Sequence, residues 1–140
     1  MTSAPSRLQA GIVPVDVGAS VVFYRDVLGL PYQGTRPALE GRTLHLFTAG
    51  DSVLKLLETP ETSETSEAPS ARAPGGPFAG ATGIRWLTLD VDDLDAIVSR
   101  CERAGVHLQL SPTDLRPGLR VAIAEDPDGN AIELVERTTA

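Results

Sequence analysis

The fold of this chain is decided by residues 125–136, which read EDPDGNAIELVE. The first half has turn chemistry, because Pro127 fixes one backbone angle, Gly129 tolerates a positive φ, and Asp and Asn side chains hydrogen-bond nearby backbone groups. The second half, from Ala131 to Val135, predicts a strand. Glu133 lies inside that strand between apolar residues, and a buried carboxylate needs a metal, a cation or hydrogen-bond donors. The stretch therefore predicts a turn that directs a strand carrying a functional carboxylate.

Composition predicts a globular protein of the cytoplasm. The chain has 140 residues, 41% of them hydrophobic, and its N-terminus lacks the apolar core of a signal peptide. No apolar run reaches the roughly 18 residues that a membrane span needs. The single cysteine, Cys101, excludes an internal disulfide and suits a reducing compartment. The net charge of -7 argues against a nucleic-acid partner, which would call for a basic surface.

The two halves of the chain repeat one order of elements, which is a strand, a helix and then about three strands. Asp16 and Asp93 are the predicted helix N-caps, with Asp92 as an alternative to Asp93, and Gly29 and Gly105 are the predicted helix ends. These positions recur at a nearly constant offset, which indicates duplication. The predicted apolar or strand-like segments are Leu8 to Val15, Thr43 to Thr48, Ser52 to Leu57, Ile84 to Val91, Val106 to Leu110, Leu119 to Ala124 and Ala131 to Val135.

The repeat divides the chain into two modules that together form one structural domain. The first module is residues 1–58 and the second is residues 83–137. Residues 59–82 are rich in Pro, Gly, Ser, Thr and Glu and show no periodicity. They are predicted to form a flexible linker, or a lid over a cavity with Phe78 as its apolar tip.

Two motifs about a hundred residues apart carry a family resemblance. Residues 23–30 read FYRDVLGL and residues 126–134 read DPDGNAIEL, and residues 91–95, VDDLD, also match. The chain resembles the vicinal oxygen chelate superfamily, which includes glyoxalase I, methylmalonyl-CoA epimerase, extradiol dioxygenases, and fosfomycin- and bleomycin-resistance proteins. The resemblance implies an α+β fold of two βαβββ modules whose curved sheets form a cup, commonly in a homodimer.

The resemblance also locates the metal ligands of the superfamily, on the first and last strands of each module. In this sequence those positions fall on Gln9, Lys55, Trp86 and Glu133. A protonated lysine has no lone pair and an indole offers no ligand atom, so no metal cofactor is predicted. The alternative is a divalent ion held by Gln9, His45 and Glu133. Otherwise His45 is an ordinary sheet histidine or a donor in the cavity wall.

Strand alternation predicts what lines the cup instead of a metal. Lys55 and Glu133 would point toward the vacated metal position, where they pair or bind a polar group of a ligand. Trp86 would share a face with Thr88, and it is either core filler or a stacking platform for a planar or cationic ligand. Arg120 could anchor an anionic ligand group or pair with an acidic neighbour such as Glu133.

Within the superfamily, Trp86 and the lost ligand set are similar to the bleomycin-resistance proteins, which bind cationic planar antibiotics at a dimer interface. The predicted function is binding of a small aromatic or amphipathic molecule in the cup, with antibiotic sequestration as one form of it. The alternative is an enzyme. It would be a metal-free isomerase, epimerase or cyclase that uses Glu133 as acid or base, assisted by Lys55, or a metal-dependent lyase or dioxygenase. A regulatory domain without turnover stays open.

Overall fold

A computed structural model describes residues 3–59 and 72–138 of the chain. A π-helical turn, Phe23–Val27, continues the first helix, and a 3₁₀ turn, Leu39–Gly41, precedes the third strand. None of the described helices has the length and hydropathy needed to cross a membrane. The regular elements are β1 (Ala10–Ile12), α1 (Val17–Val22), β2 (Tyr32–Pro37), β3 (Thr43–Ala49), β4 (Ser52–Glu58), β5 (Trp86–Asp90), α2 (Leu94–Arg103), β6 (Leu108–Arg116), β7 (Leu119–Glu125) and β8 (Ala131–Arg137).

The strands form two sheets with the same topology. The first has the order β1-β4-β3-β2 and the second has the order β5-β8-β7-β6. In each sheet the first strand of the module runs parallel to the last one, and the remaining pairs are antiparallel. The predicted α+β fold of two βαβββ modules is therefore confirmed.

The chain divides into two compact units that follow the two modules closely. The first unit is Met1–Asp26 with Leu30–Arg72, and the second is Val27–Gly29 with Ala73–Ala140. The predicted linker or lid is residues 59–82. Its residues 60–71 lie outside the described residues, so the structure describes only residues 59 and 72–82 of this segment.

The turn between β7 and β8 is organised by the side chain of Asp126, which is 5% exposed. Its Oδ1 atom accepts hydrogen bonds from the backbone N–H groups of Asp128 and Asn130, both at 2.9 Å, and its Oδ2 atom accepts one from the Asn130 side chain at 2.8 Å. Gly129 has a φ of 86°, in the left-handed region where a side chain is disfavoured. These contacts fix the register in which Glu125 lies opposite Ala131.

Helix α2 covers one face of the second sheet. It contacts β6, β7 and β8, and its buried side chains follow the helical period. On the sheet, alternate residues of β7 and β8 face the helix because side chains two positions apart share a face. The buried helix residues are Leu94, Ile97, Val98 and Cys101, and the sheet residues beneath them are Ala122, Ala124, Ile132 and Leu134.

Several element boundaries differ from the sequence predictions. Strand β2 was not predicted, because its sequence, YQGTRP, contains Gly34 and ends in a proline. It is an edge strand, and its pairing with β3 shifts register between Tyr32 and Thr35. A bulge with a glycine at φ 85° permits such a segment to pair with a regular strand. Strand β6 also starts later and extends further than predicted, over Leu108–Arg116.

The N-cap of α2 provides a first stability prediction. The Asp93 side chain accepts a hydrogen bond from the Ala96 N–H at 3.1 Å. We expect Asp93→Ala to lower the free energy of unfolding by about 1 kcal/mol, as for other lost N-caps. Urea denaturation followed by far-UV circular dichroism measures this change. The neighbouring Asp92→Ala, at an exposed position, is the control and should change stability by less than about 0.5 kcal/mol. Equal losses in both variants would contradict the assignment.

Candidate functional site

Trp86 and Glu133 lie on the same face of the second sheet. Strand β5 pairs with β8 so that Trp86 is opposite Ala131 and Thr88 is opposite Glu133. The Thr88 hydroxyl donates a hydrogen bond to Glu133 Oε1 at 2.8 Å, and Trp86 shares the face of Thr88 by strand alternation. Glu125, opposite Ala131 on β7, also belongs to this face. We call the surface formed by Trp86, Thr88, Glu125 and Glu133 the Trp86 face.

The indole of Trp86 is 48% exposed and has an aromatic neighbour. The ring of Phe78 contacts it edge to face, with ring centroids 5.4 Å apart and an interplanar angle of 82°. This arrangement matches the favourable geometry of aromatic pairs, in which the positive edge of one ring meets the negative face of another. Phe78 therefore fixes Trp86 in place while leaving about half of its surface accessible.

Phe78 ends a short segment, Pro74–Phe78, that we call the strap. Arg85, one residue before β5, holds the strap from one side. Its guanidinium donates hydrogen bonds to the carbonyl oxygens of Phe78 at 3.1 Å, Pro74 at 3.0 Å and Pro77 at 3.5 Å. A planar guanidinium can reach several acceptors at once, so this one side chain contacts both ends of the strap.

Gln109, near the start of β6, holds the strap from the other side. Its Oε1 atom accepts a hydrogen bond from the Phe78 N–H at 2.9 Å, and its Nε2 atom donates to the Gly76 carbonyl at 3.0 Å. The same Nε2 atom donates to Glu125 Oε1 at 2.9 Å. Gln109 thus connects the strap to a carboxylate of the Trp86 face.

A cavity of about 340 Å³ lies between the strap and the end of the second sheet. A cavity of this size is in the range of small-molecule sites, which combine apolar walls with a few polar groups. The lining is mixed in this sense, with a proline and an aromatic ring opposite a carboxylate, an amide and an imidazole. The lining residues are Gly76, Pro77, Phe78, His107, Gln109 and Glu125.

The two carboxylates of the Trp86 face have only neutral hydrogen-bond partners within the described part of the second unit. Glu133 accepts from Thr88, and Glu125 accepts from Gln109 and forms no ion pair there. The nearby guanidinium of Arg85 is engaged by backbone carbonyls instead. The Trp86 face therefore carries two negative charges that arginines of this unit do not neutralise.

Arg120 lies on the opposite, helix-covered face. It is opposite Glu136 on β8 and forms ion pairs with Asp95 at 3.1 Å, Asp114 at 3.5 Å and Glu136 at 3.6 Å. Its hydrogen bond with Asp95 and the charge of that carboxylate raise the pKa of Arg120. Arg120 thus pairs with acidic neighbours, but Glu133 is not one of them. Glu133 is opposite Ile123 on β7, and Ile123 lies three residues from Arg120, so the two side chains point to opposite faces of the sheet.

The site residues predicted in the first unit fall on two faces of its sheet. Lys55 on β4 lies opposite Gly11 and Leu46, and Gln9, two residues before Gly11, continues this face by alternation. His45 lies opposite Leu56, the residue next to Lys55, and therefore faces the other way. His45 and Lys55 therefore lie on opposite faces of this sheet, and the alternative metal site of Gln9, His45 and Glu133 stays a prediction. The approach of Lys55 to Glu133 stays a prediction.

Both ring nitrogens of His45 are engaged within the first unit. The Tyr32 hydroxyl lies 2.8 Å from Nδ1, and Nε2 lies 2.8 Å from Glu58 Oε2. The Tyr32 and His45 rings also stack, with centroids 6.0 Å apart. The sequence did not predict these partners, because Tyr32 belongs to the unpredicted strand β2.

Sequence reasoning missed Gln109 and His107 and gave Glu125 no role. Glu125 could have been found, since the DPDGN turn places it opposite Ala131 and hence on the face of Glu133. The contacts of Gln109 with residues 31 to 33 positions earlier had no signal in the sequence.

Comparison with known proteins shows the family. Residues 8–134 match the model of the Glyoxalase/Bleomycin resistance protein/Dioxygenase superfamily, so the chain belongs to that superfamily. Its relatives include the uncharacterized protein YaeR of Escherichia coli strain K12, which is 30% identical over 90% of this chain and 92% of YaeR.

Two solved structures illustrate the range of the fold. One is TnmS3, an antibiotic-binding protein from Streptomyces sp. CB03234, at 23% identity and a TM-score of 0.67 over 99% of this chain and 100% of that one. The other is lactoylglutathione lyase from Agrobacterium tumefaciens, at 27% identity and a TM-score of 0.59 over 96% of each chain. The superfamily fold is thus used by a binding protein and by an enzyme.

Proposed function

We propose that this protein binds a small planar aromatic or amphipathic molecule on the Trp86 face. The observation that carries the proposal is the half-exposed Trp86, whose ring packs edge to face with that of Phe78 and which shares a face with Glu133. A rigid, accessible aromatic plate beside a few polar groups is typical of small-molecule sites. The relationship to an antibiotic-binding protein of the same fold is consistent with sequestration of a drug-like ligand.

We also propose that binding does not require a metal ion. The superfamily ligand positions carry Gln9, Lys55, Trp86 and Glu133, and two of these four lack a donor atom for a cation. Trp86 is packed against Phe78, and one oxygen of Glu133 is engaged by Thr88. His45 faces away from Lys55 and cannot replace a lost ligand there. The donor set present does not fit a divalent site.

A homodimer and a cytoplasmic location stay predictions.

The second candidate is an enzyme of the same superfamily, and the relationship to a lactoylglutathione lyase favours it. In the metal-free version, Glu133 would transfer a proton, because it is partly exposed and, among the described residues of its unit, accepts a side-chain hydrogen bond only from the Thr88 hydroxyl. Lys55 would assist if it reaches Glu133. Turnover of S-lactoylglutathione that disappears in Glu133→Gln would favour this candidate over a pure binding protein.

The binding proposal is tested with two carboxamide probes on the same fused two-ring skeleton, one flat and aromatic and the other saturated and puckered. The probes are 2-naphthamide and its fully saturated decalin analogue. Trp86 is the single tryptophan, so its indole N–H gives one resolved signal in a ¹⁵N correlation spectrum. We expect 2-naphthamide to shift that signal, because a flat ring stacks on the indole. In calorimetry we expect it to bind at least about tenfold more tightly than the decalin analogue. Equal affinities, or an unmoved indole signal, would contradict the proposal.

A further inference from the structure

We propose that the first sheet carries a binding site of its own, in which Lys55 anchors the carboxylate of a small amphipathic acid. The site is the face of that sheet to which Lys55 points, and we call it the Lys55 face. The ligand class is a monocarboxylate joined to an apolar chain or ring. All the evidence lies in the first unit, so this inference does not depend on the proposed function of the Trp86 face.

The Lys55 face is largely apolar and only partly covered. The core of the first unit lies on the other side of the sheet, where Phe47, Leu54 and Leu56 are at most 8% exposed. An apolar surface that stays partly open is typical of ligand-binding sites. The side chains that β3 and β4 place on the Lys55 face are all of intermediate exposure, and they are Leu44, Leu46, Thr48, Val53, Lys55 and Leu57.

The charge of the Lys55 face is opposite to that of the whole protein. The chain has a net charge of -7, and Lys55 is its only lysine. Arg36 on β2 lies opposite Leu44 and therefore belongs to the same face. None of the residues that the four described strands of the first sheet place on this face is acidic. The face thus presents two cations without a carboxylate, and an anionic ligand group is complementary to it.

The ammonium group of Lys55 is available to a ligand. Its direct neighbours on the face are Gly11 and Leu46, whose side chains offer no hydrogen-bond acceptor. A carboxylate can accept a charge-assisted hydrogen bond from an ammonium group. The ion pairs in the described part of the first unit use other residues, and they are Arg25 with Asp26, Arg42 with Glu40, and His45 with Glu58.

Gly11 leaves open space beside Lys55. Strand β1 pairs with β4 so that the two residues lie directly opposite each other. A Cβ atom added at Gly11 would have no neighbour within 4 Å, and the residue is exposed. Its φ is not among the positive values, so the backbone does not require glycine here. The missing side chain therefore leaves room for a ligand group next to the ammonium.

Lys55, and not Arg36, is the anchor of the proposed site. Lys55 lies on β4, an inner strand of the sheet, among apolar side chains, whereas Arg36 is exposed on the edge strand β2. The two residues are two strands and two positions apart, so their Cα atoms are separated by roughly 12 Å. A single carboxylate bound at Lys55 would therefore feel Arg36 only as a distant charge.

The test compares octanoate with octanamide, which have the same chain and a head group of nearly the same shape but differ in charge. In calorimetry we expect the wild-type protein to bind octanoate about tenfold more tightly than octanamide, in the range of a charge-assisted hydrogen bond. In Lys55→Met the ratio should fall to about twofold or less, with little change for octanamide. The control Arg36→Met removes a charge from the rim of the same face and should keep the ratio above about fivefold.

A second readout follows Lys55 directly. Because it is the only lysine, growth on ¹³C-labelled lysine gives a spectrum that contains the signals of this residue alone. Octanoate should shift the Cε signal of Lys55 more than octanamide does. Gly11→Val fills the space beside the ammonium with a residue that suits a strand. We expect this variant to bind both compounds at least about fivefold more weakly while it keeps the ammonium group.

The inference is overturned if the wild-type protein binds both compounds equally or does not bind octanoate. It is also overturned if octanoate binds without moving the Lys55 signals, because the carboxylate would then lie elsewhere. Should Lys55→Met not fold, Gly11→Val decides, since undiminished octanoate affinity in that variant would place the ligand outside the Lys55 face. The test of the Trp86 face with 2-naphthamide is separate, so either proposal can fail while the other stands.

Discussion

Replacing Asp126 with alanine is expected to lower the free energy of unfolding by about 3 kcal/mol. The carboxylate is buried and accepts three hydrogen bonds from Asp128 and Asn130, at 2.8 to 2.9 Å. Alanine would leave these donors without their acceptor at a buried position, and hydrogen bonds to charged groups are among the stronger ones. Urea denaturation at neutral pH measures the loss.

The matched control is Asp126→Asn, which has nearly the same shape and keeps one side-chain oxygen. It can still accept from the Asp128 and Asn130 N–H groups but not from the Asn130 side chain, so we expect about half of the alanine effect. A loss below about 1 kcal/mol in Asp126→Ala would show that the turn holds its geometry without this carboxylate. Because the turn sets the register of β7 and β8, a large loss should come with a displaced Trp86 indole signal.

Features with a local physical cause were predictable from the sequence. The caps at Asp16 and Asp93 each satisfy a backbone N–H three residues later, and the pattern of an acidic residue before an apolar period indicates this. The hairpin between β3 and β4 turns at Gly50, whose φ of 58° is the conformation that the turn requires. These signals depend on neighbouring residues only, so they are legible without knowing the fold.

The faces of the middle strands were not predictable, and the candidate site depends on them. Arg120 was one option for contacting a ligand or Glu133, and His45 was one option for a metal ligand. The register of β7 places Arg120 on the face opposite Glu133, and the register of β3 places His45 on the face opposite Lys55. A shift of one residue reverses the face of a side chain, and the sequence does not fix register between distant strands. The strap contacts of Gln109 and Arg85 similarly join segments whose side chains carry no periodic signal.

Replacing Trp86 with alanine is expected to weaken binding of 2-naphthamide about thirtyfold, because the ligand loses both stacking and buried apolar area. The residue is 48% exposed in the protein without ligand, so its removal should affect folding far less than binding. The readout is calorimetry, since the variant has no tryptophan and is silent in indole fluorescence. Trp86→Phe retains a smaller aromatic plate and should lose only about threefold.

Ile84→Ala is the control for apolar truncation near the site. Ile84 lies two residues before Trp86, outside β5, and is 95% exposed. We therefore expect the affinity of the Ile84→Ala variant for 2-naphthamide to stay within about twofold of the wild-type affinity. If Trp86→Ala binds the probe as tightly as Ile84→Ala does, the indole is only a surface residue. If Trp86→Phe is as weak as Trp86→Ala, the site requires the indole specifically. Its N–H group would then be the contact to examine, because it is the one feature that phenylalanine cannot supply.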